Sequence, residues 1–209
     1  MSAEVPAIAT EIFGQRLDLA VGYHDLLAGP GTTRGFLGPR EVPRLWERHI
    51  LNCAVLSEII DAQTVADVGS GAGLPGIPLA IARPDVTITL IEPLLKRSIF
   101  LQEVTDTLGL ENVTVLRGRA EEKQIRTTVG EVDVVTSRAV AALDKLVGWS
   151  LPLVRPGGEM VALKGSSAAD EIQVAAKAIK KAGGVHPEVL QVGQELAEPT
   201  TVVRIRKRA

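Results

Sequence analysis

Three alternating glycines follow a short apolar segment that contains an acid near its end. Residues 64–78 read TVADVGSGAGLPGIP, in which Asp67 precedes Gly69, Gly71 and Gly73. Glycine lets the chain turn sharply and lets a ligand lie against bare backbone. The helical pattern that begins directly afterwards predicts free N–H groups and a positive helix end at the same place. The arrangement therefore predicts a site for a nucleoside cofactor at the carboxyl end of a strand.

A second acid follows the next apolar segment. Residues 86–91 read VTITLI and are followed by Glu92, about 20 residues after the glycines, where a carboxylate commonly binds the two hydroxyls of a ribose. The alternative is a solvated side chain at the end of a strand. We interpret Glu92 as the ribose-binding acid.

The type of cofactor is open at this point. Residues 71–76 read GAGLPG, which fits the dinucleotide fingerprint G-x-G-x-x-G, but that match alone is weak. Asp67 argues against NAD, because a further carboxylate repels two phosphates in a partly desolvated cleft. The same charge favours the cationic sulfonium of S-adenosylmethionine. We therefore expect S-adenosylmethionine and keep NAD as the alternative.

Composition limits the classes of function. The 209 residues carry a formal net charge of −2, so the chain is not a globally basic nucleic-acid binder, and any RNA contact must come from local patches. Cys53 is the single cysteine, which excludes an internal disulfide and a cysteine-rich zinc site. The three histidines show no metal-ligand spacing, so we expect no metal. With neither a signal-peptide pattern nor an apolar stretch long enough to span a membrane, we expect a cytoplasmic protein that does not bind membranes.

The first 60 residues are predicted to form a helical cap. Apolar residues recur at helical spacing over residues 7–27, and a glycine-rich loop is predicted at residues 29–35. A second helix is predicted from Pro43, a favoured first-turn residue, to about residue 60. Its predicted buried face comprises Leu45, His49, Cys53, Leu56 and Ile60.

Residues 61–209 are predicted to form the cofactor-binding domain. Strands and helices alternate through most of it, which indicates an α/β, doubly wound, mostly parallel sheet with helices on both faces. A turn is predicted at Arg155–Gly158, before the fifth strand. No helix separates the last two strands, so we expect them to pair antiparallel. The seven predicted strands cover residues 64–68, 87–91, 113–116, 132–136, 159–163, 185–192 and 201–206.

Several segments together resemble one known family. They are the glycine block with its trailing LPGIP, residues 48–52 (RHILN), Lys96-Arg97 with Phe100-Leu101, residues 137–139 (SRA), and residues 163–165 (LKG). In this collinear order, which covers nearly the whole chain, they are similar to the RsmG (GidB) methyltransferases. The resemblance implies a class I, Rossmann-like methyltransferase fold that uses S-adenosylmethionine. It also implies methyl transfer to N7 of one guanine in 16S ribosomal RNA of the small ribosomal subunit.

The candidate cofactor residues come from two sources. The motif itself points to the glycines and Glu92, whereas the resemblance adds Leu74, Ala120, Glu121 and Arg138. Without the resemblance, Glu121 would be an acid favoured at a helix N-terminus and Arg138 a surface salt-bridge partner. The full predicted set is Gly69, Gly71, Gly73, Leu74, Glu92, Ala120, Glu121 and Arg138.

The candidate RNA-binding residues are basic side chains around the predicted cleft. Arg44 and Arg48 lie one helical turn apart in the cap, and Lys164 ends the fifth strand. Such an edge can hold RNA phosphates. Because acids such as Glu47 lie nearby, a solvated helix face is the equally weighted alternative.

No catalytic side chain is predicted. Guanine N7 has a lone pair and no proton at neutral pH, so its methylation requires no general base, and orientation of the reactants is the main contribution expected of the protein. The target base must come from a loop or be flipped out of a stack. A small-molecule methyltransferase is the second alternative, although aromatic residues make up only 3% of the chain. We expect a monomer.

Overall fold

A computed structural model describes residues 4–209, so the first three residues of the predicted cap lie outside it. Seven strands form one sheet in the order β3-β2-β1-β4-β5-β7-β6. All neighbouring strands are parallel except β7, which is antiparallel to both β5 and β6. The doubly wound, mostly parallel seven-stranded sheet is therefore confirmed. The strands are β1 Thr64–Val68, β2 Thr87–Glu92, β3 Val113–Arg117, β4 Val132–Arg138, β5 Val154–Leu163, β6 Gly184–Val192 and β7 Thr200–Lys207.

The order of the parallel strands reverses between β1 and β4, which pair through Asp67 and Thr136. At such a switch point the connections leave to opposite faces, which opens a crevice beyond the carboxyl ends of the strands. The glycine block follows β1 at this crevice. The helices are α1 Ala7–Phe13, α2 Leu17–Leu26, α3 Asn52–Ala54, α4 Gly76–Ala82, α5 Leu95–Leu108, α6 Lys123–Val129, α7 Leu143–Ser150 and α8 Ala168–Lys181.

The N-terminal helical region packs on one face of the sheet. Its core continues into residues of β1, β2 and β4, such as Val65, Leu90 and Val134. The opposite face carries a second core, with Ala66 and Val68 of β1 packed among residues of α7 and α8. Alternate residues of β1 thus enter different cores, as the two-residue period of a strand requires.

Two features of the cap differ from the sequence prediction. Wide helical turns continue through Leu27–Gly31, so the predicted loop is partly helical. Residues 39–58 form a continuous run of helical turns that begins at Pro39 rather than at Pro43. The predicted buried face is confirmed, because all five of its residues are buried.

The fifth strand begins earlier than predicted. β5 starts at Val154 and includes the segment 155–158, where a turn was expected. The pairing with β4 shifts between Val132 and Val134, and Gly157 has a φ of +76°. Because of this bulge-like irregularity, Gly157 and Gly158 lie within β5 and do not end the strand. Within residues 4–209, no helix combines the length and the apolar character needed to cross a bilayer.

Candidate functional site

A cavity of about 470 Å³ lies at the switch point. It is bounded by the glycine block, the end of β2 and the end of β4, together with residues of the cap. Five predicted cofactor residues line it: Gly69, Gly71, Leu74, Glu92 and Arg138. The fold thus brings together residues that are up to 69 positions apart in the sequence, because the carboxyl ends of parallel strands share one edge.

The three alternating glycines have different surroundings, although each has a positive φ. A Cβ on Gly71 would meet no protein atom closer than the Gly69 carbonyl oxygen at 3.9 Å, so this position is open towards the cavity. A Cβ on Gly69 would lie 2.7 Å from Val140 Cγ2. A Cβ on Gly73 would lie 2.6 Å from Ile77 Cγ1 and 2.9 Å from the Tyr23 hydroxyl. Gly71 is therefore the position where a ligand can approach bare backbone.

Gly73 does not line the cavity. It lies below the loop, where Tyr23 of the cap donates a hydrogen bond to the Ala72 carbonyl over 3.0 Å. Tyr23 is fully buried, and burial raises the pKa of its hydroxyl well above the ordinary value. This contact fixes the glycine loop to the cap. Glycine is needed at position 73 because a Cβ there would clash with the Tyr23 hydroxyl.

The expectation of free N–H groups at the helix start is wrong. The N–H of Leu74 donates to the Ser70 carbonyl over 3.0 Å, and the N–H of Ile77 donates to the Gly73 carbonyl over 2.7 Å. The N–H of Gly76 donates to Asp67 Oδ2 over 3.1 Å. Pro75 and Pro78 have no N–H. These N–H groups at the helix start therefore form hydrogen bonds within the protein. They cannot bind the pyrophosphate that a dinucleotide places at such a helix end.

Asp67 lies behind the glycine loop and does not line the cavity. It is completely buried, and its Oδ1 has no hydrogen-bond partner. Burial, with a smaller contribution from nearby Glu92, raises the pKa of this carboxyl to about 7. The charge argument from Asp67 against NAD is thus weakened, because the group is partly protonated near neutral pH and holds the loop rather than a ligand.

Glu92 is held rigidly at the end of β2. Its Oε2 accepts the N–H of Gly71 over 2.9 Å, and its Oε1 accepts the N–H of Leu94 over 2.8 Å. The side chain is 2% exposed and lines the cavity. Because each carboxylate oxygen has a further lone pair, two more donors can be accepted. Glu92 is therefore a preorganised acceptor for a ligand with two adjacent hydroxyls.

A second, smaller cavity adjoins the first. It has a volume of about 230 Å³ and is lined by Ala120 and Glu121. Gly69, Pro93 and Val140 line both cavities. The structure thus places the two residues predicted after the third strand beside the glycine loop, where the far end of a long ligand can lie.

Arg138 connects the sheet to the cap. Its Nη2 donates to the Arg48 carbonyl over 2.9 Å and lies 3.0 Å from His49 Nδ1, while Nη1 lies 3.4 Å from Cys53 Sγ. A guanidinium is only a donor, so His49 Nδ1 accepts and the ring proton is on Nε2. That nitrogen lies 2.8 Å from Glu41 Oε2. Arg138 is therefore fixed in the cavity wall by three cap residues.

The lowered pKa of His49 agrees with this arrangement. Burial lowers its pKa from the ordinary value, and the positive charge of Arg138 lowers it further, against the opposing effect of Glu41. The neutral ring is the form that can accept a hydrogen bond from Arg138. Burial also raises the pKa of the Cys53 thiol, so the two side chains that contact Arg138, His49 and Cys53, are uncharged.

The predicted RNA-binding residues have contrasting environments. The side chains of Arg44 and Arg48 are exposed. Lys164 is only 10% exposed at its side chain, because its Nζ donates to Glu171 Oε2 over 2.7 Å and to the Ala141 carbonyl over 3.0 Å. Arg48, Lys164 and Arg138 line a cavity of about 500 Å³ next to the first one. Arg44 and Arg48 are thus exposed cations, whereas Lys164 is a mostly buried cation that is paired with Glu171.

Several cavity residues were not singled out from the sequence as site residues. His49 was assigned to the core by its helical spacing, and Arg97 appeared only as part of the family resemblance. Phe36, Leu37 and Val140 come from connecting segments without a local signal. In residues 4–209 no cluster of three or more His, Cys, Asp or Glu residues could hold a metal ion.

Comparisons with known proteins show the family of this chain. The family model GidB, described as rRNA small subunit methyltransferase G, matches residues 16–200. A curated protein of Corynebacterium diphtheriae, named "Ribosomal RNA small subunit methyltransferase G", is 63% identical over 205 residues, which are 98% of this chain and 92% of the relative.

Two solved structures show the likeness of the fold. A SAM-dependent methyltransferase from Aquifex aeolicus has a TM-score of 0.56 and 19% identity, covering 81% of this chain and 98% of that chain. M. jannaschii TYW2 in complex with AdoMet has a TM-score of 0.57 and 18% identity, covering 79% of this chain and 78% of that chain. The fold is that of class I methyltransferases.

Proposed function

The chain belongs to the GidB family of small-subunit rRNA methyltransferases, and from this premise we propose that it methylates N7 of one guanine in 16S ribosomal RNA. S-adenosylmethionine, when bound, supplies an activated methyl group on a sulfonium. The observation that carries the proposal is the open backbone at Gly71 beside the buried carboxylate of Glu92. A small-molecule methyltransferase and an NAD-dependent oxidoreductase are the alternatives that experiment must exclude.

The residues present fit S-adenosylmethionine. Gly71 leaves the space that a side chain would fill, so the amino-acid part of the cofactor has room against the loop. Glu92 is preorganised for the ribose hydroxyls. Ala120 and Glu121 line the adjoining cavity, where the adenine fits. Gly69 and Leu74 line the cavity wall, whereas we assign Gly73 a packing role and no ligand contact.

Arg138 is the proposed partner of a ligand carboxylate. Its guanidinium lines the cavity and is fixed by His49 and the Arg48 carbonyl. A guanidinium has five N–H groups, and the three that make these contacts leave others for a carboxylate. Its contacts on the cap side are the Arg48 carbonyl, the His49 ring and the Cys53 thiol. Within residues 4–209 no carboxylate forms an ion pair with Arg138.

The helix start supports the choice against NAD. A dinucleotide places its pyrophosphate on free N–H groups at the first helix after the glycine turn. Here Leu74, Gly76 and Ile77 use those groups within the protein. The cavity offers a pyrophosphate no such anion site, and the literal G-x-G-x-x-G match loses its physical meaning.

The chemistry at guanine N7 suits this site. N7 has a lone pair and no proton at neutral pH, so the protein needs no general base and its task is to orient the base and exclude water. The apolar side chains of Phe36, Leu37 and Leu94 at the cavity are suited to that task. The low pKa of His49 and its bond to Arg138 leave it as a positioning group rather than a base.

The basic residues on the cap side are proposed to hold RNA phosphates. Arg44 and Arg48 are exposed and have no salt bridge within residues 4–209. Lys164 lines the same cavity as Arg48 but is paired with Glu171. Its contact with RNA would exchange that ion pair, so we expect Arg44 and Arg48 to contribute more to affinity.

We also propose that the protein acts in the cytoplasm as a monomer on free 16S rRNA or the small subunit. The division into a cap, residues 1–60, and a methyltransferase domain, residues 61–209, stays a prediction. The cap shares its core with the sheet, and we expect the two parts to unfold together.

Two measurements test the function. Titration calorimetry with S-adenosylmethionine and with NAD⁺ should give saturable binding of the first alone. Transfer of a labelled methyl group should then appear in 16S rRNA, and not in a panel of small catechols and carboxylates. NAD⁺ binding at similar affinity, or labelling of small molecules alone, would contradict the proposal.

A further inference from the structure

Large apolar side chains are exposed at the edge of the candidate cofactor cavity. Leu94, Leu95 and Ile99 are 54%, 51% and 47% exposed. They lie at and just after the point where the chain enters α5 from the end of β2. We call these three residues the apolar rim. Leu94 itself lines the cavity, so the rim starts at the candidate cofactor cavity and extends outwards from it.

The rim has no counterpart near the opposite end of the sheet. The other large apolar side chains with comparable exposure in the described chain are Val174 on α8 and Val189 on β6, which lie on separate elements. Single exposed apolar residues are normal on a soluble protein, whereas adjacent ones at a cavity mouth indicate an interaction site. Leu95 and Ile99 are four residues apart in α5 and therefore share one helix face.

The segment that carries the rim contains two basic side chains, and the acids Glu92 and Glu103 border it on either side. Residues 93–102 read PLLKRSIFLQ and contain Lys96 and Arg97 but no acid. Lys96 is exposed, and Arg97 lines the cavity. Basic residues in the first turn are unfavourable for the helix dipole. Lys96 and Arg97 therefore do not stabilise α5 through the helix dipole.

A third basic side chain, Arg34 of the cap, packs beside α5 and is paired there with an acid of that helix, Glu103. Arg34 donates to Glu103 over 2.6 Å, and its guanidinium carbon lies 5.8 Å from the centre of the Phe100 ring. Arg34 is thereby fixed beside α5, one turn beyond Ile99. Apolar side chains flanked by cations fit a ligand with planar apolar faces and phosphates, which is an unpaired RNA strand.

From this placement we infer that the apolar rim with Lys96 and Arg97 is a docking surface for the unpaired nucleotides next to the target guanine. The inference rests on the proposed function. A guanine that enters the cavity carries its neighbouring nucleotides across the cavity edge, because they are covalently joined to it. Leu95 and Ile99 would contact the base faces, and Lys96 would contact a phosphate. A membrane surface or a second copy of this chain would be the other occupants of an apolar basic patch.

The experiment compares a rim variant with a matched control. The rim variant is Leu95→Ser/Ile99→Ser, which spares the cavity residues Leu94 and Arg97. The control is Val174→Ser/Val189→Ser, which removes two exposed aliphatic side chains from the other half of the sheet. Thermal unfolding must first show that both variants fold, and calorimetry must show that both bind S-adenosylmethionine as the wild type does.

The readouts are the KM for 16S rRNA, kcat, and direct RNA affinity by filter binding. We expect the rim variant to raise KM and weaken RNA affinity by about tenfold, as the loss of two buried aliphatic contacts implies. The control should match the wild type. Lys96→Ala should lower the salt slope of RNA affinity by ~0.7–0.9, the value of one lost phosphate contact on a single strand or duplex.

Other results would overturn the inference. Equal KM and RNA affinity in the rim variant and the wild type would show that the rim does not touch RNA. A change from dimer to monomer by light scattering, with RNA affinity unchanged, would assign the rim to a second copy. Loss of sedimentation with anionic lipid vesicles, again with RNA affinity unchanged, would assign it to a membrane. Failure of the wild type to methylate 16S rRNA is a separate result that rejects the proposed function, and the binding assay still decides the rim.

Discussion

The inner wall of the cavity and its outer edge are built from different kinds of contact. On the wall, Glu92 holds the N–H groups of Gly71 and Leu94, and Arg138 is fixed by groups from the cap. At the edge, Leu95, Ile99 and Lys96 point to solvent. The wall groups have hydrogen-bond partners in the free protein. At the edge, Lys96 has no ion pair within residues 4–209, and the side chains of Leu95 and Ile99 are only half-buried.

This difference indicates which ligand each region serves. A small cofactor that binds repeatedly benefits from groups already in position, because less conformational freedom is lost on binding. A large RNA supplies its own partners for exposed cations and apolar side chains. Changes in the wall should therefore act on cofactor affinity and on folding, and changes at the edge should act on RNA.

The largest effect is expected from Gly71→Val. The new side chain would occupy the space left for the cofactor, and we expect affinity for S-adenosylmethionine to fall by at least about 100-fold. Calorimetry measures this loss. The matched control is Gly109→Val, because Gly109 has the same φ of +61° and open space around it. Both variants should show similar strain in thermal unfolding, and equal cofactor affinity in the two would break the assignment of Gly71.

Asp67→Asn tests whether the ionised carboxylate of Asp67, buried behind the glycine loop, destabilises the folded protein. The folded pKa of about 7 is above the unfolded value of 3.8, so the folded state binds more protons between these values. Stability from this group is full below pH 3.8 and is lost as the pH rises through about 7. The maximum difference is about 4 kcal/mol, since one pKa unit corresponds to about 1.4 kcal/mol.

The measurement for Asp67 is the free energy of unfolding of the ligand-free protein at pH 4 to 8. We expect the wild type to lose stability relative to Asp67→Asn as the pH rises. Parallel pH curves for the two proteins would contradict a raised pKa. The two proteins are compared by the slope of the free energy of unfolding against pH. A loss of stability in Asp67→Asn that is the same at every pH does not change this slope.

Glu92→Ala should weaken cofactor binding by about 1–3 kcal/mol, because it removes the acceptor for the ribose and the acceptor of the Gly71 and Leu94 N–H groups. Melting temperature should fall as well, since the glycine loop loses its anchor. Glu111→Ala is the control, because it removes an exposed acid at the other end of the sheet, before β3. Cofactor affinity equal to that of the control would reject the ribose assignment.

A smaller effect is expected from Arg48→Ala on the exposed face of the cap. Each lost phosphate contact should lower the salt slope of RNA binding by ~0.7–0.9 and leave the affinity for S-adenosylmethionine unchanged. Lys164→Ala should act differently, because it also breaks the pair with Glu171 and should lower stability. The control is Lys177→Ala on α8. If Arg48→Ala has the salt slope of that control, the cap face is only solvated.

Much of the wall could be predicted from the sequence. Gly71, Glu92 and Arg138 each stand at or just beyond the end of a strand, and parallel strands gather these ends at one edge. The partners of Arg138 could not be predicted, because His49 is 89 residues away and no local pattern joins them. The bonded N–H groups at α4 were also missed, since they depend on the path of the loop rather than on its composition.

The same limits explain the remaining differences. A turn was predicted at residues 155–158, but these residues belong to β5. A bulge can accommodate extra glycines within a paired strand. The exposed edge gave little signal, because Leu95 and Ile99 have the spacing of an ordinary core face. Only burial shows that they face solvent.

The most direct test of the central claim is to identify the methylated nucleoside. Small subunits that lack the modification are incubated with the protein and labelled S-adenosylmethionine, and the 16S rRNA is digested and analysed by mass spectrometry. The account predicts one methyl group per subunit, recovered as 7-methylguanosine. Label on another atom or another base, or an unlabelled 16S rRNA from an enzyme shown to bind S-adenosylmethionine, would contradict it.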